Sequence, residues 1–285
     1  MGRSKGAGDN KEAQLTTTAS SNAQTPCLVL EGVSKAFAGL QAVDNVSFSV
    51  EHGARRVIIG PNGAGKTTLF NLISGALDPT GGRITYCGTD ITHMAVHRRT
   101  ALGITRTFQI TNLFPKLTVL RNLVIACLAL ERTKFMMFRP ISSYGNLMER
   151  ATELLKEFDL WKKRNELIKN LSHGDQRQIE VAMALAGQPR LLLLDEPTAG
   201  LSPAETRDLT RLLKKLDPAI TILMIEHDMD VAFDFGDTIT VLCQGQKLAE
   251  GNREEVRNNP MVQQIYLGAG CEYAQNQRYP HVLRR

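Results

Sequence analysis

Gly60-Pro61-Asn62-Gly63-Ala64-Gly65-Lys66-Thr67 constrains this chain more than any other stretch. It follows a short β-branched run, Arg56-Val57-Ile58-Ile59, and a helical pattern opens at Gly65. A strand that turns through three glycines into a helix leaves several backbone N–H groups facing one point. The positive end of the helix dipole lies behind that point. Such a concavity holds a phosphate. Lys66 adds a point charge toward the outer phosphates of a nucleotide, and Thr67, followed by Thr68, offers a hydroxyl to a magnesium ion. The plain alternative is a glycine-rich turn that matches this spacing by chance.

A second element argues against chance. Leu191-Leu192-Leu193-Leu194 reads as a strand buried on both faces, and it ends in Asp195-Glu196. Asp195 at the strand end is placed to hold the shell of a Mg²⁺ ion, and Glu196 to take a proton from an attacking water. Alone, a strand ending in solvated acids is common. Together the two elements predict a P-loop nucleotidase, with kinases, GTPases, helicases and motor proteins all open at this point.

The rest of the chain sets the frame. Its 285 residues, 42% of them hydrophobic, allow one large domain or two small ones. Leu28-Val29-Leu30, Val46 to Val50 and Ile220 to Ile225 also read as strands, and strands alternating with helical stretches predict an α/β fold. Residues 115 to 188 differ: strand signals are few, and Ile179, Ala182, Met183 and Ala186 fall on one helical face. This span reads as a helical insertion. Residues 1 to 26 are polar and small and read as a disordered tail.

No window approaches the ~20 apolar residues of a membrane helix. Val119 to Leu130 comes nearest and is broken by Arg121 and Asn122. The N-terminus has no apolar core of a signal peptide, so membrane association is expected through a partner. The five cysteines are widely spaced with no C-x-x-C, which fits a reduced cytosolic protein. The net charge of +5 reads as a basic surface without a specific partner. Nucleic acid or an anionic membrane are the alternatives, and no aromatic-interleaved basic stripe favours nucleic acid.

Leu171-Ser172-His173-Gly174-Asp175-Gln176-Arg177 narrows the choice. It resembles the LSGGQ signature of ABC ATPases and stands before the Asp195 strand as that signature does. Ser172 and the Gly174 N–H lie at a predicted helix N-terminus, suited to hold a phosphate. An ordinary serine cap is the default without the neighbouring motifs. The resemblance covers residues 28 to 268 and implies a mostly parallel sheet, an antiparallel β subdomain and the helical insertion, with the ATPase domain spanning 27 to 268. It also implies that Ser172 and Gly174 complete the ATP site of a second subunit. Gln109 takes the place of the glutamine that touches Mg²⁺ and water, and His227 that of the histidine that contacts the γ-phosphate. Phe37 takes the place of the aromatic that stacks on adenine. Two departures stand out. His173 replaces the first signature glycine, and Ser202 stands where an aspartate is usual.

FAGLQAVDNV (37 to 46), GITRTF (103 to 108), LFPKLTVLRNL (113 to 123) and Ile225-Glu226-His227-Asp228-Met229 resemble the subfamily serving branched-chain and hydrophobic amino-acid uptake. Urea or amide uptake and lipopolysaccharide export use similar ATPases. A soluble ABC ATPase acting on DNA or ribosomes is disfavoured by the single domain and the lack of heptads. The resemblance implies ATP and Mg²⁺ as ligands, transmembrane permease subunits and a second identical or different ATPase as partners, and a periplasmic binding protein acting indirectly. It places the chain at the cytoplasmic face of the membrane. Leu113, Phe114, Pro115 and Leu117 are expected to line a groove for a permease helix. Phe135-Met136-Met137-Phe138 either packs the insertion or docks on the partner, and residues 269 to 285 read as a basic tail.

Overall fold

The computed structural model describes residues 25–107, 113–130 and 145–266. Strand Leu191–Asp195 (β7) shows how the layers arise, since all five of its residues are buried. Leu191 and Leu193 join one hydrophobic cluster, Leu192 and Leu194 the other. Successive side chains of a strand point to opposite faces, so an all-leucine strand must be covered on both. Arg55–Ile59 (β3) and Thr221–Ile225 (β8) divide in the same way. With Ile104–Arg106 (β6) and Thr238–Cys243 (β9) they form a parallel sheet in the order β9-β3-β8-β7-β6. Gln246–Gly251 (β10) adds an antiparallel edge on β9.

One face of this sheet carries helix Lys66–Ser74 (α1) and a second, antiparallel sheet. The latter consists of Leu28–Phe37 (β1), Leu40–Val50 (β2), Gly81–Tyr86 (β4) and Thr89–Asp90 (β5), in the order β2-β1-β4-β5. Leu69, Phe70, Leu72 and Ile73 of α1 are wholly buried there. Val96–Ala101 (α2) follows β5 and carries His97.

The other face carries Val119–Leu130 (α3), Gly145–Glu157 (α4) and His173–Leu185 (α5), then Pro203–Lys214 (α6) and Met229–Phe235 (α7). Leu147, Ala151, Leu154 and Leu155 of α4 fall at helical spacing and are all buried. Val119, Leu123, Val124 and Cys127 do the same for α3, which explains its apolar run without a membrane. Among the described residues no helix is long and apolar enough to cross a membrane. In α3, fully buried Asn122 accepts from the Phe114 N–H at 2.8 Å and donates to the Phe114 and Thr118 carbonyls. It thereby ties the preceding loop to the helix. Arg253–Arg257 (α8) and Pro260–Gln264 (α9) close the described chain. Gln109 and the Phe135 to Phe138 stretch lie outside the described residues, as do the expected terminal tails apart from residues 25 and 26.

Candidate functional site

The site begins where β3 meets α1. Gly60 and Gly65 have φ of 154° and 93°, backbone that side chains resist. A Cβ on Gly60 would lie 2.2 Å from the Leu242 carbonyl oxygen, and one on Gly65 would lie 2.3 Å from that of Ala42. The loop is therefore pressed between the end of β9 and the start of β2, and only glycine fits at its two ends. Gly245, just past β9, donates to the Ala64 carbonyl and accepts from Asp44, which stitches loop and both sheets together.

A cavity of about 650 Å³ opens over this loop. Asn62, Gly63, Ala64, Gly65, Lys66, Thr67 and Thr68 line it, with Glu196, Gln244 and Leu40 to Ala42 opposite. Gly60 and Pro61 sit behind the lining and hold the lysine: Lys66 Nζ donates to their carbonyls at 2.7 and 3.1 Å. Burial lowers the Lys66 pKa, and the Glu196 and Asp195 carboxylates partly oppose that. A poorly solvated ammonium beside bare N–H groups is a strong anion site.

Asp195 and Glu196 part company at the strand end. Asp195 is buried, and its Oδ2 accepts from Arg106 Nη2 at 2.6 Å. Its Oδ1 is buried and has no hydrogen-bond partner among the described residues. An orphan acceptor of this kind calls for a cation or a water, so a Mg²⁺ ion shared with the Thr67 hydroxyl fits the residues present. Glu196 has φ of 46°, a left-handed conformation rare for a side-chain-bearing residue, and its N–H is held by the Ile225 carbonyl at 3.0 Å. That turn brings Glu196 out of the strand to the cavity wall, a form of strain typical of working residues.

His227 follows β8 and lies outside the cavity lining, with its side chain 55% exposed and Nδ1 3.9 Å from Glu226 Oε2. Phe37 ends β1, opposite Leu40 at the cavity mouth, and is itself exposed with Lys35 above its ring. Ser172 caps α5, accepting from the Asp175 N–H. Neither it nor Gly174 lines the cavity, so one chain does not bring the signature to its own phosphate loop. The Gly174 N–H is occupied by Glu205 Oε1 at 3.1 Å.

Sequence reasoning missed three supporting residues. Arg106 binds Asp195, donates to Asn71 Oδ1 at 2.6 Å and lies over the Phe70 ring. Glu226 is wholly buried and accepts from Thr198 N–H and Oγ1 and from the His227 N–H. Glu205 joins the signature helix to Ser202. Arg106 and Glu226 carry no local signal, because they work through residues distant in sequence, whereas Ser202 and Glu205 form a capping-box spacing that could have been read.

Residues 43–199 match the family model described as ABC transporter. The high-affinity branched-chain amino acid transport ATP-binding protein BraF of Pseudomonas aeruginosa is 40% identical over 250 residues, covering 85% of this chain and 98% of BraF. The ADP conformation of MJ1267, an ATP-binding cassette of an ABC transporter, superposes with a TM-score of 0.78 at 33% identity, covering 86% of this chain and 99% of that one. A dimeric post-hydrolysis state of the cassette MJ0796, bound to ADP and Pi, gives a TM-score of 0.67 at 29% identity, covering 79% and 98%. The buried strand pair, the glycine-bound loop and these likenesses agree: the chain belongs to the ABC transporter family, as one of its ATP-hydrolysing subunits.

Proposed function

We propose that this chain energises uptake of branched-chain or other hydrophobic amino acids, working at the cytoplasmic face of a membrane through permease subunits. The observation that carries the catalytic part is that Lys66 and outward-turned Glu196 line one cavity, while buried Asp195 lies close enough to act electrostatically on Lys66. The likeness to BraF supports the amino-acid part.

Each residue has a task in this reading. The loop from Gly60 to Thr68 and the Lys66 ammonium hold the β- and γ-phosphates. Thr67, Asp195 and Gln109 would hold Mg²⁺, which when bound would supply charge neutralisation to the phosphates. Glu196 accepts the proton of the attacking water. His227 contacts the γ-phosphate, and Phe37 stacks on the adenine. Ser172 and Gly174 reach the ATP of a second subunit, identical or different, so closure needs two copies. The placement of the signature away from the cavity of its own chain supports that arrangement. A periplasmic binding protein acts through the permease, and nucleic acid plays no part.

The experiment compares wild type with Glu196→Gln. The variant should bind ATP with unchanged affinity but hydrolyse it at least about 100-fold more slowly, because a carboxamide takes no proton. With ATP, and not with ADP, it should elute as a dimer, and adding Ser172→Arg should return it to monomer. Near wild-type turnover would show the base to be elsewhere, and a persistent dimer would remove the signature from the interface. In a reconstituted transporter, leucine delivered by its binding protein should raise hydrolysis. Stimulation by an amide or urea alone would reassign the cargo.

A further inference from the structure

The far end of the antiparallel sheet gathers three soft donors that the nucleotide site does not use. Cys27 precedes β1, His52 lies in the turn after β2, and Cys87 lies in the turn between β4 and β5. Antiparallel pairing of Leu28 with both Val50 and Tyr86 brings these three chain segments together. The Cys87 N–H donates to the Cys27 carbonyl at 2.9 Å. The two thiols and an imidazole nitrogen of His52 all lie within 4.8 Å of one another, and both thiols are free.

The local backbone does not account for this grouping. Cys87 and Gly88 have φ of 46° and 77°, the two-residue hairpin geometry in which asparagine or aspartate ordinarily stands before glycine. A cysteine there bears conformational strain for no gain in the turn itself. Beside the thiols, Tyr86 is 2% exposed, with the Cys87 and Cys27 thiols next to its hydroxyl. His52 is exposed and leaves the cluster open to solvent on one side.

We propose that Cys27, Cys87 and His52 form a binding site for one thiophilic divalent ion of the zinc class. Donor atoms on a tetrahedral zinc lie roughly 3.3–3.8 Å apart, given bonds of about 2.0–2.3 Å, so the cluster needs to close by no more than about 1.5 Å on binding. Binding displaces the two thiol protons to solvent. The fourth position falls to a water on the open side. The ion ties the start of β1 to two turns at the end of the sheet away from Leu40 and the phosphate loop. Ten residues of β1 make that distance about 30 Å. The site therefore acts on the stability of the sheet and not on the chemistry.

The test uses the full chain, reduced, stripped with a chelator and titrated with Co²⁺ as a spectroscopic stand-in, then with Zn²⁺. One Co²⁺ per chain should bind with thiolate-to-metal charge-transfer absorption, Zn²⁺ should displace it, and Zn²⁺ should raise the melting temperature. His52→Ala, at an exposed turn, should fold normally and weaken binding by about 100-fold or more. Cys87→Ser should weaken binding and cut the charge-transfer band per bound Co²⁺ to about half, and Cys127→Ala should leave it unchanged. No band in wild type, an undiminished band in Cys87→Ser, or a Cys27–Cys87 disulfide with no metal uptake after reduction would each overturn the proposal.

Discussion

Asp195 and Glu196 are adjacent in the chain, yet one is a buried ion-pair partner and the other a cavity wall. The division is made by Arg106, whose guanidinium is nearly as buried as the Asp195 carboxylate it holds. Arg106→Ala would leave that carboxylate without its partner, and we expect a loss of about 3–5 kcal/mol, measured by chemical denaturation. Glu226 is a second buried carboxyl. Burial, opposed by hydrogen bonds from Thr198 and by His227, raises its pKa above the ordinary 4.5. A carboxyl raised by folding favours the folded state below its unfolded pKa and loses that favour as pH rises through the folded value. Glu226→Gln should therefore flatten the fall in melting temperature that wild type shows as pH rises above the ordinary glutamate range. A steeper fall in the variant would contradict this. At this scale the sequence was legible where a residue type is tied to a spacing, as in the loop from Gly60 to Thr67. It was silent on Arg106, Glu226 and the Cys27, His52, Cys87 group, whose meaning lies in contacts made across the fold.

Helices α5 and α6 meet at a single carboxylate. Glu205 accepts from the Ser202 N–H and hydroxyl at 3.0 and 2.8 Å with one oxygen, and from the Gly174 N–H with the other. Ser202 in turn accepts from the Glu205 N–H, a capping box that explains why serine serves at this position. Glu205→Ala removes an acceptor from both helix starts and should lower the melting temperature in thermal denaturation. Glu205→Gln should recover part of it, since one amide oxygen still accepts. Equal losses in the two variants would mean that the carboxylate charge, not the acceptor, is what matters. Buried parallel strands such as β7 and β8 stood out in the sequence by their apolar runs, Leu191 to Leu194 and Ile222 to Ile225. The antiparallel strands were harder to see: register shifts interrupt β1 at Leu30, Val33 and Lys35, which blurs the alternation that reveals a strand.

On the scale of the whole molecule, the loop before α3 is where a permease is expected to dock. Leu113 packs onto the core of the helical face, whereas Phe114 is 47% exposed although its backbone is pinned by Asn122. An aromatic held outward by a rigid backbone is suited to a partner surface. Phe114→Asp should leave the fold and basal hydrolysis of the isolated chain intact while abolishing assembly with the membrane subunits. Unfolding of the isolated chain would show that the ring serves its own core.

The pairing of β3 bears on how the chain is born. Arg55 pairs with Ile222 and Arg56 with Thr238, and Gly60 rests against the Leu242 carbonyl. A nascent chain emerging from the ribosome would thus display the phosphate loop long before its seat exists. Contacts this distant in sequence form late and slowly. Chains halted before Thr221 should be unable to retain nucleotide, which makes ATP a ligand of the finished molecule and not a guide to its early folding.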